Sequence, residues 1–160
     1  MWQVDAKGKW KRQTYAAHLL REGYAVCISN HVDPLASNNA YQALQFIEVL
    51  SSMDIPLNLM TRFGKEADTQ ALFDLIGDRP TPIYSSIPTF NDEIARKCEP
   101  GAPLPNQRLE YLKQAIAAGY PVSVGINPII PGWIDDPIEM VTRLKDAGIK
   151  NVTLGKIHLS

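Results

Sequence analysis

The residues best placed to do chemistry gather where short apolar runs of this chain stop. The run that begins at Tyr24 gives way to Ser29-Asn30-His31-Val32-Asp33-Pro34, which brings one imidazole and one carboxylate together with hydroxyl and amide groups. A second run ends in Thr61-Arg62-Phe63-Gly64, a third in Ser85-Ser86, and a fourth in Asn127. Each cluster taken alone also suits a local turn, because Asn, Asp and Ser bond readily to nearby backbone. Carboxylate, guanidinium, hydroxyl and amide groups converging from four runs suit a polar, zwitterionic small molecule. No Ser/His/Asp order, pair of catalytic carboxylates or metal-ligand spacing can be defended. His18 falls in an early helix and His158 near the last residue, so His31 has no second histidine beside it. Cys27 and Cys98 are too far apart for a zinc or redox motif; they are expected as thiols, Cys27 a small buried hydrophobe and Cys98 in a loop.

Positioning these groups requires strands, and the apolar periodicity alternates between β-like runs and longer helical ones in the order αβαβαβαβαβ. An amphipathic helix is predicted over 14–22 and a strand over 24–28. A helix over 40–53 carries Leu44, Ile47, Val49 and Leu50 at helical spacing, and Asp54-Ile55-Pro56 stops it before a strand over 57–61. Then follow a helix over 65–76, a strand over 83–86 and a helix over 91–97. The Pro-rich segment 99–107 cannot sustain a helix, but Pro105 can open the periodic one that carries Leu109, Leu112, Ile116 and Ala117, which Gly119 ends. A strand over 122–126, a loop through Gly132, a helix over 137–147 and a strand over 151–157 complete the chain. Strands joined by helices imply right-handed crossovers and a parallel sheet, so the fold class is α/β. Five strands are too few to close a barrel. Two architectures remain, an open doubly wound sheet or part of a (β/α) barrel, and in both the functional groups collect at the carboxyl ends of the strands. No glycine-rich phosphate loop follows any strand.

With 160 residues, 16 Lys+Arg, 17 Asp+Glu and a net charge of -1, the chain reads as one folded domain. The balanced charge argues against nucleic acid and against an anionic membrane surface as partners, since both need a clustered positive face. Only Lys7, Lys9, Lys11 and Arg12 around Trp10 form a basic cluster. No run of about 18 apolar residues exists, and Met1 to Asp5 lack the apolar core of a secretory signal, so a cytoplasmic location is expected.

Five stretches, in order, resemble radical S-adenosylmethionine (radical SAM) proteins of the spore photoproduct lyase-like group. They are Ser29 to Pro34, Ile55-Pro-Leu-Asn-Leu-Met-Thr-Arg62, Tyr84-Ser-Ser-Ile-Pro88, Cys98-Glu-Pro-Gly-Ala-Pro-Leu-Pro-Asn-Gln-Arg108 and Gly125-Ile-Asn-Pro-Ile-Ile-Pro-Gly132. The resemblance covers about residues 24–158. It implies strands two to six of a partial (β/α)6 barrel, with the first strand and the cluster loop upstream. The family's CxxxCxxC, whose three thiolates hold a 4Fe-4S cluster, is absent from this sequence, and Cys27 and Cys98 cannot replace it.

By the same resemblance, Asp33 takes the turn beside the methionine or ribose moiety of S-adenosylmethionine. Arg62 pairs with its carboxylate, and Ser85 or Ser86 bonds the ribose or the carboxylate. Asn127, Ile129 and Pro131 face the adenine. Glu99 and Arg108 are expected to bind each other or the cofactor. The implied activity is that of a lyase-like enzyme generating a 5'-deoxyadenosyl radical, with the isolated chain inactive for want of cluster ligands and a cluster-bearing segment or subunit as the possible partner. A non-catalytic binding or partner subunit with a degenerate barrel is the alternative. A TIM-barrel isomerase or aldolase would need a catalytic group at a strand end, and Lys156 is the only lysine so placed.

Overall fold

The computed structural model describes residues 15–28 and 32–156. Ser29, Asn30 and His31, the basic cluster at 7–12 and His158 lie outside the described residues. Eleven elements alternate except between β3 and β4, where two helices stand in place of the one in a strict αβ order: α1 (Tyr15–Arg21), β1 (Val26–Ile28), α2 (Ala40–Ser52), β2 (Leu57–Met60), α3 (Glu66–Ile76), β3 (Ile83–Ser86), α4 (Asp92–Cys98), α5 (Pro105–Ala117), β4 (Val122–Ile129), α6 (Pro137–Asp146) and β5 (Asn151–Lys156). The helix boundaries follow local chemistry. Asn91 caps α4 by accepting from the Glu93 and Ile94 amides, Asp136 caps α6 by accepting from Ile138 and Glu139, and Pro105 sits in the first turn of α5. No helix among the described residues is long and apolar enough to cross a membrane.

All five strands are parallel, in the spatial order β1-β2-β3-β4-β5. A doubly wound sheet reverses its strand order at a switch point. Here the order never reverses, so that alternative is set aside. Right-handed crossovers that always step in one direction place their helices on one face of the sheet. Core membership agrees, because the registers Ile28↔Leu59, Leu59↔Ile83 and Ile83↔Val122 align one set of strand side chains. That set, with Leu57, Val124 and Ile126, is buried against Ile47, Leu72, Leu112 and Leu144 of the helices. Each fully buried aliphatic side chain of this kind contributes about 1.5–3 kcal/mol.

The opposite face is polar and uncovered among the described residues. Cys27 and Asn58 are exposed there, Tyr84, Ser86 and Ser123 half-buried, and Thr153 exposed. The expectation that Cys27 is buried is therefore corrected: its neighbours Val26 and Ile28 point into the helix-covered side, and alternation turns Cys27 outward. The fourth strand also runs past its predicted end, through Asn127 and Pro128 to Ile129. Its pairing with β5 is irregular between Ile126 and Ile129, where Pro128 has no amide to donate to the ladder.

Candidate functional site

A cavity of about 530 Å³ opens at the carboxyl ends of the first four strands. Asp33, Arg62, Ser86 and Asn127 line it, as do Thr61, Met60 and Tyr84. Four of the sequence-predicted residues thus meet at one place. Asn39 and Ala36 of the β1–α2 connection form another part of the wall.

Asp33 shapes the site by bonding inside the protein. Its Oδ1 accepts from the Leu35 amide at 3.0 Å and from Thr61 Oγ1 at 2.8 Å, and its Oδ2 accepts from the Arg62 amide at 2.6 Å. The carboxylate therefore ties the β1–α2 loop to the end of β2. Thr61, itself buried, passes the constraint on by accepting from the Phe63 amide at 2.8 Å. Phe63 adopts a positive φ of 66°, and its ring is buried against Tyr111. The backbone on both sides of Arg62 is held in this way, and its side chain leaves from a fixed base.

The Arg62 guanidinium is half-exposed, with Nε 3.2 Å from Glu99 Oε1 and donating to Ser86 Oγ at 3.4 Å. The other Glu99 oxygen, Oε2, lies 2.7 Å from the Nη2 of Arg108. Arg108 is fully buried; its Nε donates to the Pro103 carbonyl at 2.7 Å and its Nη1 to the Ser86 carbonyl at 3.0 Å. Arg62, Glu99 and Arg108 so form an ion triad with one net positive charge. Of the two outcomes expected for Glu99 and Arg108, the structure shows mutual pairing. Arg108 does not line the cavity, and its interior bonds hold the Pro-rich segment against the end of β3.

Strand alternation separates the two serines. Ser86 faces the cavity, whereas Ser85 is fully buried on the side of Ile83 and Ile87 and does not reach it. Tyr84, two residues from Ser86, shares the cavity face but is not among the residues singled out from sequence. Its ring lies across β4 over Gly125, where an added Cβ would meet the phenol oxygen at 1.8 Å. In the register Tyr84 pairs with Ser123 and Gly125 with Ser86, so a glycine diagonal to an aromatic residue, two positions beyond its partner on the same face, is the signal that could have found it. Asn127 likewise lies against Gly155, whose Cβ would come within 2.5 Å of the amide. Ile129 and Pro131 are exposed beyond the end of the cavity and do not line it.

A second hollow, of about 280 Å³, lies between the loops after β3 and β4 and the α6 surface. Trp133, Asp135 and Glu139 line it, and the Arg143 guanidinium sits 3.9 Å over the Phe90 ring. Asp136 is spent there as the α6 cap. No group of three or more His, Cys, Asp or Glu side chains that could hold a metal ion occurs among the described residues.

No family model matches the chain, and no solved structure matches it. It is 24% identical over 156 residues to an uncharacterized protein of Mycobacterium tuberculosis strain H37Rv and, to the same extent, to an uncharacterized protein of Mycobacterium bovis. Each comparison covers 94% of this chain and 43% of the relative, so the chain spans less than half the length of the curated proteins it matches.

Proposed function

We propose that this chain is the S-adenosylmethionine-binding portion of a radical SAM iron-sulfur enzyme, with β1 to β5 as strands two to six of its partial barrel. The observation that carries the reading is the cavity at the strand ends, where Arg62 presents a guanidinium beside the neutral donors and acceptors of Ser86, Tyr84 and Asn127. A cationic fork matches the carboxylate of an amino-acid-bearing ligand, and a hydroxyl with an amide matches ribose hydroxyls. Parallel strands in unreversed order support the barrel part of the reading.

Arg62 would hold the carboxylate of S-adenosylmethionine and Ser86 or Asn127 its ribose, with Asp33 acting through the loop it fixes. When bound beside a reduced cluster, that cofactor supplies a 5'-deoxyadenosyl radical. The donor set here does not fit the cluster. Cys27 stands on β1 and Cys98, expected in a loop, is instead the last residue of α4, and neither belongs to a metal-binding group among the described residues. No step through a cluster is derived for this chain, and its ligands would come from another segment or subunit. What these residues contribute is binding and orientation.

Calorimetric titration with S-adenosylmethionine tests the reading. One site is expected, weakened about tenfold or more by Arg62→Ala, as for loss of a charge-assisted pair. Absence of binding to the wild-type chain at millimolar ligand refutes it. The isolated chain is expected to yield no 5'-deoxyadenosine after iron and sulfide reconstitution, and formation of that product would overturn the assignment of the cluster to another segment.

The second reading, a non-catalytic partner subunit, is favoured by the two edges of the sheet, which no other strand among the described residues pairs. Tyr24 beside β1, and Val152 and Leu154 on β5, expose apolar surface at those edges. A stoichiometric partner carrying CxxxCxxC would support the first reading, and one without it the second.

A further inference from the structure

We propose that Glu99 is a positioning residue for ligand recognition: anchored by buried Arg108, it turns the Arg62 guanidinium so that its two terminal nitrogens face the cavity. The inference rests on the proposed binding of a carboxylate-bearing ligand and adds the device that orients the recognising group. A guanidinium can meet a carboxylate side-on, through Nε and one Nη, or end-on, through both Nη groups. At Arg62 the Nε end of the side-on edge is engaged, because its N–H donates to Ser86 Oγ at 3.4 Å and the nitrogen lies 3.2 Å from Glu99 Oε1 in an ion pair. Neither Nη donates a hydrogen bond among the described residues. The end-on edge is thus left for a ligand.

Glu99 can act this way only if it is itself fixed. Its side chain is 10% exposed, and its second oxygen lies 2.7 Å from Arg108 Nη2, a buried ion pair without hydrogen-bond alignment, while the hydrogen bonds of Arg108 go to the Pro103 and Ser86 carbonyls. The Ser86 backbone and side chain therefore enter the same arrangement from opposite sides, through Arg108 and Arg62. The Pro-rich segment carries Glu99 to the cavity, and the anchor prevents the carboxylate from swinging into it and competing with a ligand anion.

The test reads the arginine side chain directly, by ¹⁵N NMR of the full chain with Arg62 assigned by Arg62→Lys. In the wild type, the Arg62 Nε proton is expected to exchange more slowly than that of free arginine. Exchange as fast as in free arginine overturns the proposal whether or not any variant folds. In Glu99→Gln, exchange of the Arg62 Nε proton should accelerate about three- to tenfold, the loss expected for a partly buried ion pair. The Arg108 Nε proton, held by Pro103, should stay protected and report an intact fold. Unchanged Arg62 exchange in that variant overturns the proposal.

Titration supplies the functional arm, comparing S-adenosylmethionine with 5'-methylthioadenosine, which lacks the amino-acid carboxylate. Glu99→Gln should weaken the first by about three- to tenfold and leave the second unchanged. Equal weakening of both marks a merely structural role and overturns the inference. If wild-type protein binds neither, the proposed function fails, and the NMR signals still decide whether Glu99 positions Arg62.

Discussion

Replacing Asp33 by alanine separates a structural carboxylate from a ligand-binding one. Its two oxygens accept three hydrogen bonds, from the Leu35 amide, Thr61 Oγ1 and the Arg62 amide, at 3.0, 2.8 and 2.6 Å. Bonds to a charged acceptor can each contribute more than a neutral pair, but these donors are only partly buried and water can replace part of what is lost. About 1 kcal/mol per bond gives a total of roughly 3 kcal/mol for Asp33→Ala. For a chain of this size that corresponds to a fall in Tm of roughly 6–12 °C. Asp33→Asn is the informative intermediate. Its remaining oxygen can serve Leu35 and Thr61, while its NH2 group opposes the Arg62 amide, so the cost should be about 1–2 kcal/mol.

Urea denaturation followed by circular dichroism measures both variants, with an unchanged dependence on denaturant as the sign that the same transition is observed. A loss below about 0.5 kcal/mol for Asp33→Ala, the range of ordinary surface substitutions, would refute the claim that Asp33 ties the two loops together. Equal losses for the alanine and asparagine variants would refute the assignment of two bonds to one oxygen and one to the other.

Three further outcomes follow from the same geometry. Arg108→Met should cost about 3–5 kcal/mol in a urea melt, since it takes the buried partner from Glu99, leaving only half-exposed Arg62 beside it, and removes the donors to the Pro103 and Ser86 carbonyls; Glu99→Leu added to it should recover part of the loss, and a double variant no better than the single would contradict this. Gly125→Ala places a Cβ 1.8 Å from the Tyr84 phenol oxygen and 2.6 Å from Cζ; it should cost roughly 1–3 kcal/mol, and much less when Tyr84→Ser is also present, a coupling that a double-mutant cycle measures. Burial holds the Tyr120 phenol above its ordinary value of 10.0, and Asp78 and Asp74 push it the same way. The unfolded chain therefore releases this proton first, so the contribution is constant below about pH 10 and is lost as pH rises through the folded value. Tyr120→Phe gives up the bond to the Gly77 carbonyl, at about 1 kcal/mol, and should flatten the fall in stability above about pH 10; an equal fall in both proteins there would refute the assignment.

Element type was legible because period and punctuation agree along the chain. Ile47 and Leu50 face the core as their spacing requires, and Pro105 and Gly119 bracket α5 where their backbone preferences place them. Val49 shares that spacing yet is exposed, since its position falls at the flank of the apolar stripe. The choice between Ser85 and Ser86 was also within reach, because Ile83 and Ile87 flank Ser85 at a period of two and pull it into the core. The Arg62–Glu99–Arg108 triad was only half legible. Glu99 and Arg108 stand nine residues apart in one segment, whereas Arg62 reaches Glu99 only through the parallel pairing of β2 with β3. Sequence spacing carries no record of such a contact.

The two faces of the sheet constrain what can complete it. On the helix-covered side, Val152 and Leu154 of β5 extend the apolar row that Val124 and Ile126 begin, and both are exposed. An amphipathic helix would bury that surface at little polar cost. On the other side stand Asn58, Ser86, Ser123 and Thr153, and a second sheet packed flat against them would strand their polar groups without partners, at about 1–3 kcal/mol for each group. Water or a polar ligand satisfies them instead. Tyr84 and Ser86 belong both to this face and to the strand-end cavity, so a ligand seated against Arg62 adjoins the same polar surface. Any further strand would therefore add at an edge of the sheet and leave the polar face lining a space, which is what the proposed partial barrel requires and a sheet sandwich forbids.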